Sequence, residues 1–546
     1  MLDNFRLLAR RGASLAILPI VGLAVAGVVA TPASAGNGNP QWYLPQNHVS
    51  ASADIMARVL NGSLTQPSPS LNSGSSCPAT ASTTGNVQVT CLAEDGSSPR
   101  NTQSETSVVA VGQKVVVGYN DSLVCCLPAI NLSGYSVSTD GGATFTDMGD
   151  LPWSATVQPI GDPSLAADAQ GNIFYATLAF QGPFAQSLIA LYEMPAGSST
   201  FQLLSVPVNV GNAFSFFADK ELLAIGKDAN GNRHFYITWT HYSHSFVAGP
   251  VTLTDSTDGV HWRTTPISAP DTCAPTTPGS HPIPAGGTLY ISWEQFDSAA
   301  CASPNSTVTS GTQYMATVDV ASAGVTRITQ VARVQGAGDT ITFCGFANLE
   351  VIETEPGHDS RLFEAPASII DTNGTLYAVW NDRPQGPGGG NSNATRIFLS
   401  YSTDGNNTWS APQVISGRIA HTFMNDRYQP DIVADSQGLH ASWYERVRNP
   451  AGGADLLRRD SENLTAATSS APPMAGSETA LSTVNFPIYQ TNPNQDPIIA
   501  ACYMGDYSEL ASNGATRFGT WGDNRNVVTT SAGVTENQAD VFLQAF

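Results

Sequence analysis

The chain has 546 residues and carries 23 Lys and Arg against 44 Asp and Glu, a formal net charge of −21. Such a surplus of acid excludes nucleic acid as a partner, because that binding depends on basic groups neutralising phosphates. Eight cysteines, an even number, fit the disulfides of an exported protein.

In chain order, Arg6, Arg10 and Arg11 precede an apolar run from Leu15 to Ala30, and Ala33-Ser34-Ala35 follows. That is the pattern of a signal peptide over residues 1–35, so the expected location is secreted, periplasmic or extracellular. No later stretch is apolar enough to span a membrane. Residues 36–85 are rich in Ser, Thr, Pro, Gly and Asn and read as an exposed lead-in, with one or two helical turns over residues 54–60. Cys77 and Cys91 are the easiest local cysteine pair.

From residue 86 onward a unit recurs roughly every 50 to 80 residues, a period that points to solenoids or propellers. Each unit has an apolar strand, a D-x-x-G-type turn and a second strand ending in an aromatic and polar cluster. The turns are Asp168-Ala169-Gln170-Gly171, Asp228-Ala229-Asn230-Gly231, Asp371-Thr372-Asn373-Gly374 and Asp435-Ser436-Gln437-Gly438. Weaker copies begin near Ser107, Ser280 and Gly505. Many short strands with regular turn signals predict an all-β fold. The expectation is a β-propeller over 86–546, with seven four-stranded blades and six as the alternative. The last unit is one strand short, and Val87 to Leu92 is a spare strand that would close the ring as its outer strand.

Three hairpin turns share a further pattern. They are Ser138-Thr139-Asp140-Gly141-Gly142-Ala143-Thr144-Phe145, the shorter Ser256-Thr257-Asp258-Gly259-Val260-His261-Trp262, and Ser402-Thr403-Asp404-Gly405-Asn406-Asn407-Thr408-Trp409. Ser and Asp oxygens can fold back onto the turn amides, and the closing ring can bury beside the hairpin. These turns join strands three and four, and the D-x-x-G turns join strands one and two, so both fall on one face, the bottom. The opposite, top face collects the second-strand ends. These include Asn120-Asp121, Trp239-Thr240-His241, Trp293-Glu294, Trp380-Asn381-Asp382-Arg383, Trp443-Tyr444-Glu445-Arg446 and Trp521-Gly522-Asp523-Asn524-Arg525. It also collects the starts of the first strands, with Asp162, Asp219, Glu364, Asp431 and Asp506. Cys125, Cys126, Cys273, Cys301, Cys344 and Cys502 and the insertions 335–361 and 469–504 map there too. Long loops over one face mark it as the binding face. The competing structural reading is that each strand-end arginine pairs with a neighbouring blade while each Trp fills the gap between blades.

The three Ser-x-Asp turns resemble the Asp-boxes, or BNR repeats, of the sialidase superfamily. In that resemblance Ser138, Asp140, Gly142, Phe145, Ser256, Asp258, Trp262, Ser402, Asp404 and Trp409 are structural. Gly505-Asp506-Tyr507-Ser508-Glu509-Leu510 resembles the segment holding the sialidase nucleophile, which implies that role for Tyr507. A carboxylate must then take its proton, from Glu294, Glu364 or Glu445, and Asp121 or Asp162 would be the general acid. Sialidases hold the sugar carboxylate with three arginines; Arg383, Arg427, Arg446 and Arg525, with Asp382 and Asp523, are the top-face candidates for substrate binding. The family's Phe-Arg-Ile-Pro segment is absent, and no arginine lies between Arg459 and Tyr507. The resulting expectation is an exported, monomeric, sialidase-like glycosidase acting on a glycan or glycoprotein. The alternative is a non-catalytic propeller that binds a protein or glycan. No cofactor is required, and Ca2+ is the cation that the top carboxylates could hold.

Overall fold

The computed structural model describes the backbone of Cys77–Pro78 and residues 85–546, apart from 92–100, 123–130, 182–185, 214, 244–247, 270–278, 298–309, 337–338, 344–345, 353–359, 362–365, 384–393, 418–424, 448–454, 469–470, 489–495, 497–498, 500–503, 530–532 and 534. The signal segment, the predicted helical turns at 54–60, Glu364 and the six top-face cysteines lie outside the described residues. Cys91 is disulfide-bonded. Its amide donates to Asp147 Oδ2 (3.0 Å), and the Cys77 backbone pairs with Asp147 in the same sheet.

Among the described residues there is no helix, and no helix long and apolar enough to cross a membrane. The strands form seven antiparallel blades. Their innermost strands are Gln103–Val111, Ser164–Ala167, Phe216–Lys227, Ser280–Ala285, Ala367–Ile370, Arg427–Asp435 and Leu510–Ser512, each touching the next around a closed ring. A separate three-stranded sheet (Asp339–Phe343, Phe346–Ile352, Ser360–Arg361) occupies the 335–361 insertion.

The ring closes as the strand count predicts. Val87–Gln88 pairs with Thr535–Ala545 of the seventh blade, with Val87 opposite Leu543. Val89 continues it, donating its amide to Val541 O (2.9 Å). Closure removes the open edge that the last blade would otherwise present. One strand was not foreseen: Cys77–Pro78 adds a fifth strand to the first blade.

The D-x-x-G turns are self-contained. Asp168 Oδ1 accepts the amides of Gln170 and Asn172 (both 2.9 Å), and Gly171 takes a φ of +85°, which a side chain resists. Asp228 and Gly231 repeat the arrangement in the third blade. In the Ser-x-Asp turn of the fifth blade, the Ser402 hydroxyl donates to Asp404 Oδ1 (2.9 Å) and accepts the Asn406 amide (3.0 Å). Asn406 then reaches the fourth blade, donating to Met315 O (3.0 Å) and Thr317 Oγ1 (2.9 Å).

The core is distributed between blades. Phe145, closing the first blade's turn, is buried with Phe518 and Leu543 of the seventh. Trp262 packs against the cluster shared by the second and third blades, and Trp409 against that of the fourth and fifth. Trp293, Trp380, Trp443 and Trp521 at the second-strand ends are fully buried. Each blade alone would expose these faces, so the ring stabilises every blade through its neighbours.

Candidate functional site

The strand geometry turns polar side chains toward the ring axis. Glu105, Asp162, Lys220 and Gln429 sit at the top of the first, second, third and sixth innermost strands, with φ of 51°, 56°, 58° and 50°. Positive φ is rare for such residues, and non-glycine strain of this kind persists only where the surroundings hold it. Three of them coincide with register shifts, at Ser104/Ser107, Asp219/Leu222 and Tyr428/Asp431. A bulge re-aims a side chain in this way. In the seventh blade Gly505 supplies the turn (φ 92°) and Asp506 follows it. Gly161-Asp162-Pro163-Ser164 and Gly505-Asp506-Tyr507-Ser508 are the same device in sequence.

These residues meet at Lys220. Its ammonium donates to Asp506 Oδ2 and lies 3.8 Å from both Glu105 Oε1 and Asp162 Oδ2, all four side chains being almost fully buried. Burial opposes the lysine's charge, but Asp506, Glu105 and Asp162 outweigh it and raise its pKa. Burial, then Glu105, pushes the Asp162 carboxyl well up. Glu105 is also held by Asn120 Nδ2 (2.5 Å) and by the Asp506 amide (3.0 Å).

Second-strand ends act as latches between blades. Asn120 Oδ1 accepts the Asp162 amide (2.7 Å), and Asn381 Oδ1 accepts the Gln429 amide (3.1 Å). Each asparagine thus secures the left-handed residue of the following blade.

Below the cluster lies a cavity of ≈ 240 Å³, lined by residues from all seven blades. Its polar wall includes Lys220, Glu221, Asp431, Asp506, Tyr507 and Glu509. Their environments differ. Glu509 accepts Ser107 Oγ (2.5 Å) and the Val108 amide (3.3 Å), and burial followed by Asp431 raises its pKa to about 8. Asp431 accepts the Leu510 amide (2.6 Å) and is pushed by burial to about 6. Glu221 is 1 % exposed and neither of its carboxylate oxygens has a hydrogen-bond partner. The Tyr507 phenol donates to Pro163 O (3.1 Å); burial, then Glu105, Asp162 and Glu221, holds it well above the usual tyrosine range.

The residues singled out from sequence therefore divide. Asp162, Asp431, Asp506 and Tyr507 lie at this axial cluster. Asp219 adjoins it, accepting the Lys220 amide (2.9 Å), and the remaining described candidates have partners outside the cluster. Glu445 accepts from Arg427 (3.1 Å) and Arg458 (2.9 Å), and Glu478 stands 3.8 Å from Arg427. Arg446 bridges Asp426 (2.9 Å) and Asp455 (3.3 Å). Arg525 pairs with Asp523 (2.5 Å) and covers the Phe542 ring at 4.2 Å. Asp121 accepts from Gln103 Nε2 (3.2 Å), Asp382 from the Gln335 amide (3.1 Å), and Glu294 from Gln313 Nε2 (2.7 Å). Arg383 is buried. None of these arginines lines the axial cavity. Glu445, Asp460 and Glu478 lie close enough together to grip a cation, yet Arg427 and Arg458 already neutralise them.

Sequence reasoning missed Glu105, Lys220, Glu221, Gln429 and Glu509. The available signal was positional: each stands at or just after a first-strand start already assigned to the top face.

No family model and no curated protein matches the chain. Among solved structures it is similar to an α-L-arabinofuranosidase from Fusarium graminearum (10% identity, TM-score 0.44, 71% of this chain and 98% of that one). It is also similar to an α-L-arabinanase from Penicillium chrysogenum (11%, 0.43, 68% and 94%) and to an ulvan lyase (8%, 0.46, 82% and 94%). These are likenesses of fold. The chain itself is a seven-bladed propeller with a buried carboxylate–lysine cluster on its axis.

Proposed function

We propose that this is an exported glycoside hydrolase that acts on a glycan at the axial cavity. One observation carries the reading: the cavity holds two carboxyl groups in opposed environments. Asp506 is paired with a buried lysine, whereas Glu509 has no cation beside it and burial raises its pKa to about 8. Splitting two carboxyls in this way is what glycosidic cleavage requires. In this assignment Glu509 donates its proton to the glycosidic oxygen as that bond breaks. Asp506, paired with Lys220, stabilises the positive charge growing at the anomeric carbon and takes the proton of the water that adds there. The sum is one water consumed per bond cleaved, with Asp506 releasing its proton to solvent and Glu509 taking one up.

The sialidase form of this reading has less support. The described residues around the cavity include no arginine to clamp a sugar carboxylate, and the carboxyl groups there would repel one. The phenol of Tyr507 is engaged on Pro163 and surrounded by acids, which oppose the phenolate a nucleophile needs. Tyr507 is better suited to forming one wall of the cavity.

The test is a panel of aryl glycosides, neutral, amino and sialic, assayed on the wild type and on Asp506→Asn and Glu509→Gln. Turnover of a non-sialic glycoside that falls at least about 100-fold in both variants supports the assignment. Turnover of no glycoside, or turnover indifferent to both changes, removes it.

A further inference from the structure

We propose that the axial cavity takes a sugar bearing a free primary amine, with Glu221 as the counter-ion of its ammonium group. This rests on the glycan reading above and names its substrate class.

Glu221 is the cavity group without an internal role. Asp506 has Lys220, Glu509 has the Ser107 hydroxyl and the Val108 amide, and Asp431 has the Leu510 amide. Both oxygens of Glu221 lack a partner although it is almost fully buried. A buried carboxyl left in that state is costly, and native interiors keep few of them. The fold does not demand an acid there. Directly after the left-handed residue the first, second and sixth blades carry Thr106, Pro163 and Pro430, none of them an acid, while in the seventh Asp506 follows Gly505 and is paired with Lys220. An acid that the architecture does not need, with no hydrogen-bond partner from another residue and in the wall of the cavity, fits a ligand that supplies the missing donor.

The charge around it selects the ligand's sign. Among the described lining residues Lys220 is the sole formal cation, already shared by Asp506, Glu105 and Asp162. His281, which also lines the cavity, accepts the Ser368 amide at Nδ1 (2.9 Å), and burial lowers its pKa to about 4, so it adds no positive charge. Asp431 also feels the buried Arg459 guanidinium, whereas no cation beyond the shared Lys220 stands among the described lining residues for Glu221 and Glu509. An ammonium group brings three donors and one charge, and its hydrogen bonds to a carboxylate are about twice as strong as neutral ones. A hydroxyl brings one donor and no charge. An N-acetyl group removes the charge and adds bulk in a cavity of ≈ 240 Å³. The acidic chain, with a net charge of −21, would also draw in a cationic glycan.

The proposal has a proton signature. Burial, then Asp162, raises the Glu221 pKa well above normal, which favours its protonated form in the empty cavity. An entering ammonium favours the carboxylate, and the displaced proton leaves to the buffer. Binding of the amine thus releases up to one proton and tightens as pH rises through the range in which the free carboxyl loses its proton.

Calorimetric titration of the whole protein with D-glucosamine, D-glucose and N-acetyl-D-glucosamine, in phosphate and in HEPES at pH 7, tests this. The expected result is glucosamine binding at least about ten-fold tighter than the other two, a difference of about 1.4 kcal/mol. The two buffers should differ in heat by the release of a proton, and Glu221→Gln should lose both the preference and the release. Equal affinities for glucosamine and glucose, or a preference that survives Glu221→Gln, overturn the amine assignment while leaving the glycan reading intact. Should Glu221→Gln fail to fold, absence of proton release in the wild type overturns it equally. No binding of any of the three sugars by folded protein overturns both.

Discussion

Replacing Lys220 with methionine removes the one cation at the centre of the axial cluster while keeping most of its volume. Asp506 then loses its charged donor, and Glu105 and Asp162, each 3.8 Å from the ammonium, lose its field. At an effective dielectric near 20, each charge pair at that separation is worth about 4 kcal/mol before desolvation is counted. Breaking a buried pair on one side costs about 3–5 kcal/mol net. The sign of the pH dependence is set by the acids. The pKa of Lys220 is raised, so its own contribution is complete below the ordinary lysine value and is lost only as pH rises through the folded value, far above neutrality. The stranded carboxyls, in contrast, escape their penalty by taking up protons. The loss should therefore be about 3–5 kcal/mol at pH 7.5 and clearly smaller at pH 5. Urea unfolding of both proteins at the two pH values measures it. An unchanged midpoint at pH 7.5, or an equal loss at both, would refute the claim that the lysine holds the acids together.

Two further changes probe the fold and the cavity separately. Glu509 has its pKa raised to about 8 from an ordinary 4.5. Its protonated form stabilises the fold below the ordinary value, and that stabilisation disappears as pH rises through about 8, to a total on the order of 5 kcal/mol. Glu509→Gln should therefore flatten the pH dependence of the denaturation midpoint between pH 6 and 9 and be the more stable form at pH 9; a steeper dependence contradicts this. Phe145→Ala opens the interface between the first and seventh blades and should cost about 3–5 kcal/mol by denaturant unfolding, whereas a loss below about 1 would mean that the turn's ring does not join the blades.

The difference between what the sequence made legible and what it concealed lies in the range of the interactions. The Ser402 and Asp168 turns satisfy their amides within five residues, so their chemistry is visible in a short stretch. Seven such units and one spare strand at Val87 then specify the ring and its closure. Asp162, Asp431 and Asp506 could be assigned to the top because strand alternation and turn position place them there. The rim arginines could not be assigned between binding a ligand and binding a neighbour. Arg446 pairs with Asp426 and Asp455 across loops, which no local pattern reveals. Lys220 was one of three lysines with no motif around it. Its role comes from a bulge and a left-handed turn that aim it at acids from three other blades, 58 to 286 residues away in the chain for Asp162 and Asp506. Glu221 carried no signal, since an orphaned carboxyl is recognised only once its surroundings are known.

The most direct measurement for the central claim, that the axial cavity is where the sugar acts, is a crystal structure of the protein soaked with D-glucosamine. The account predicts one sugar ring beneath Lys220, its amine within hydrogen-bond distance of Glu221 and its anomeric carbon facing Asp506 and Glu509. A sugar bound on the outer rim, at Arg427, Arg446 or Arg525, with the axial cavity unchanged would contradict it.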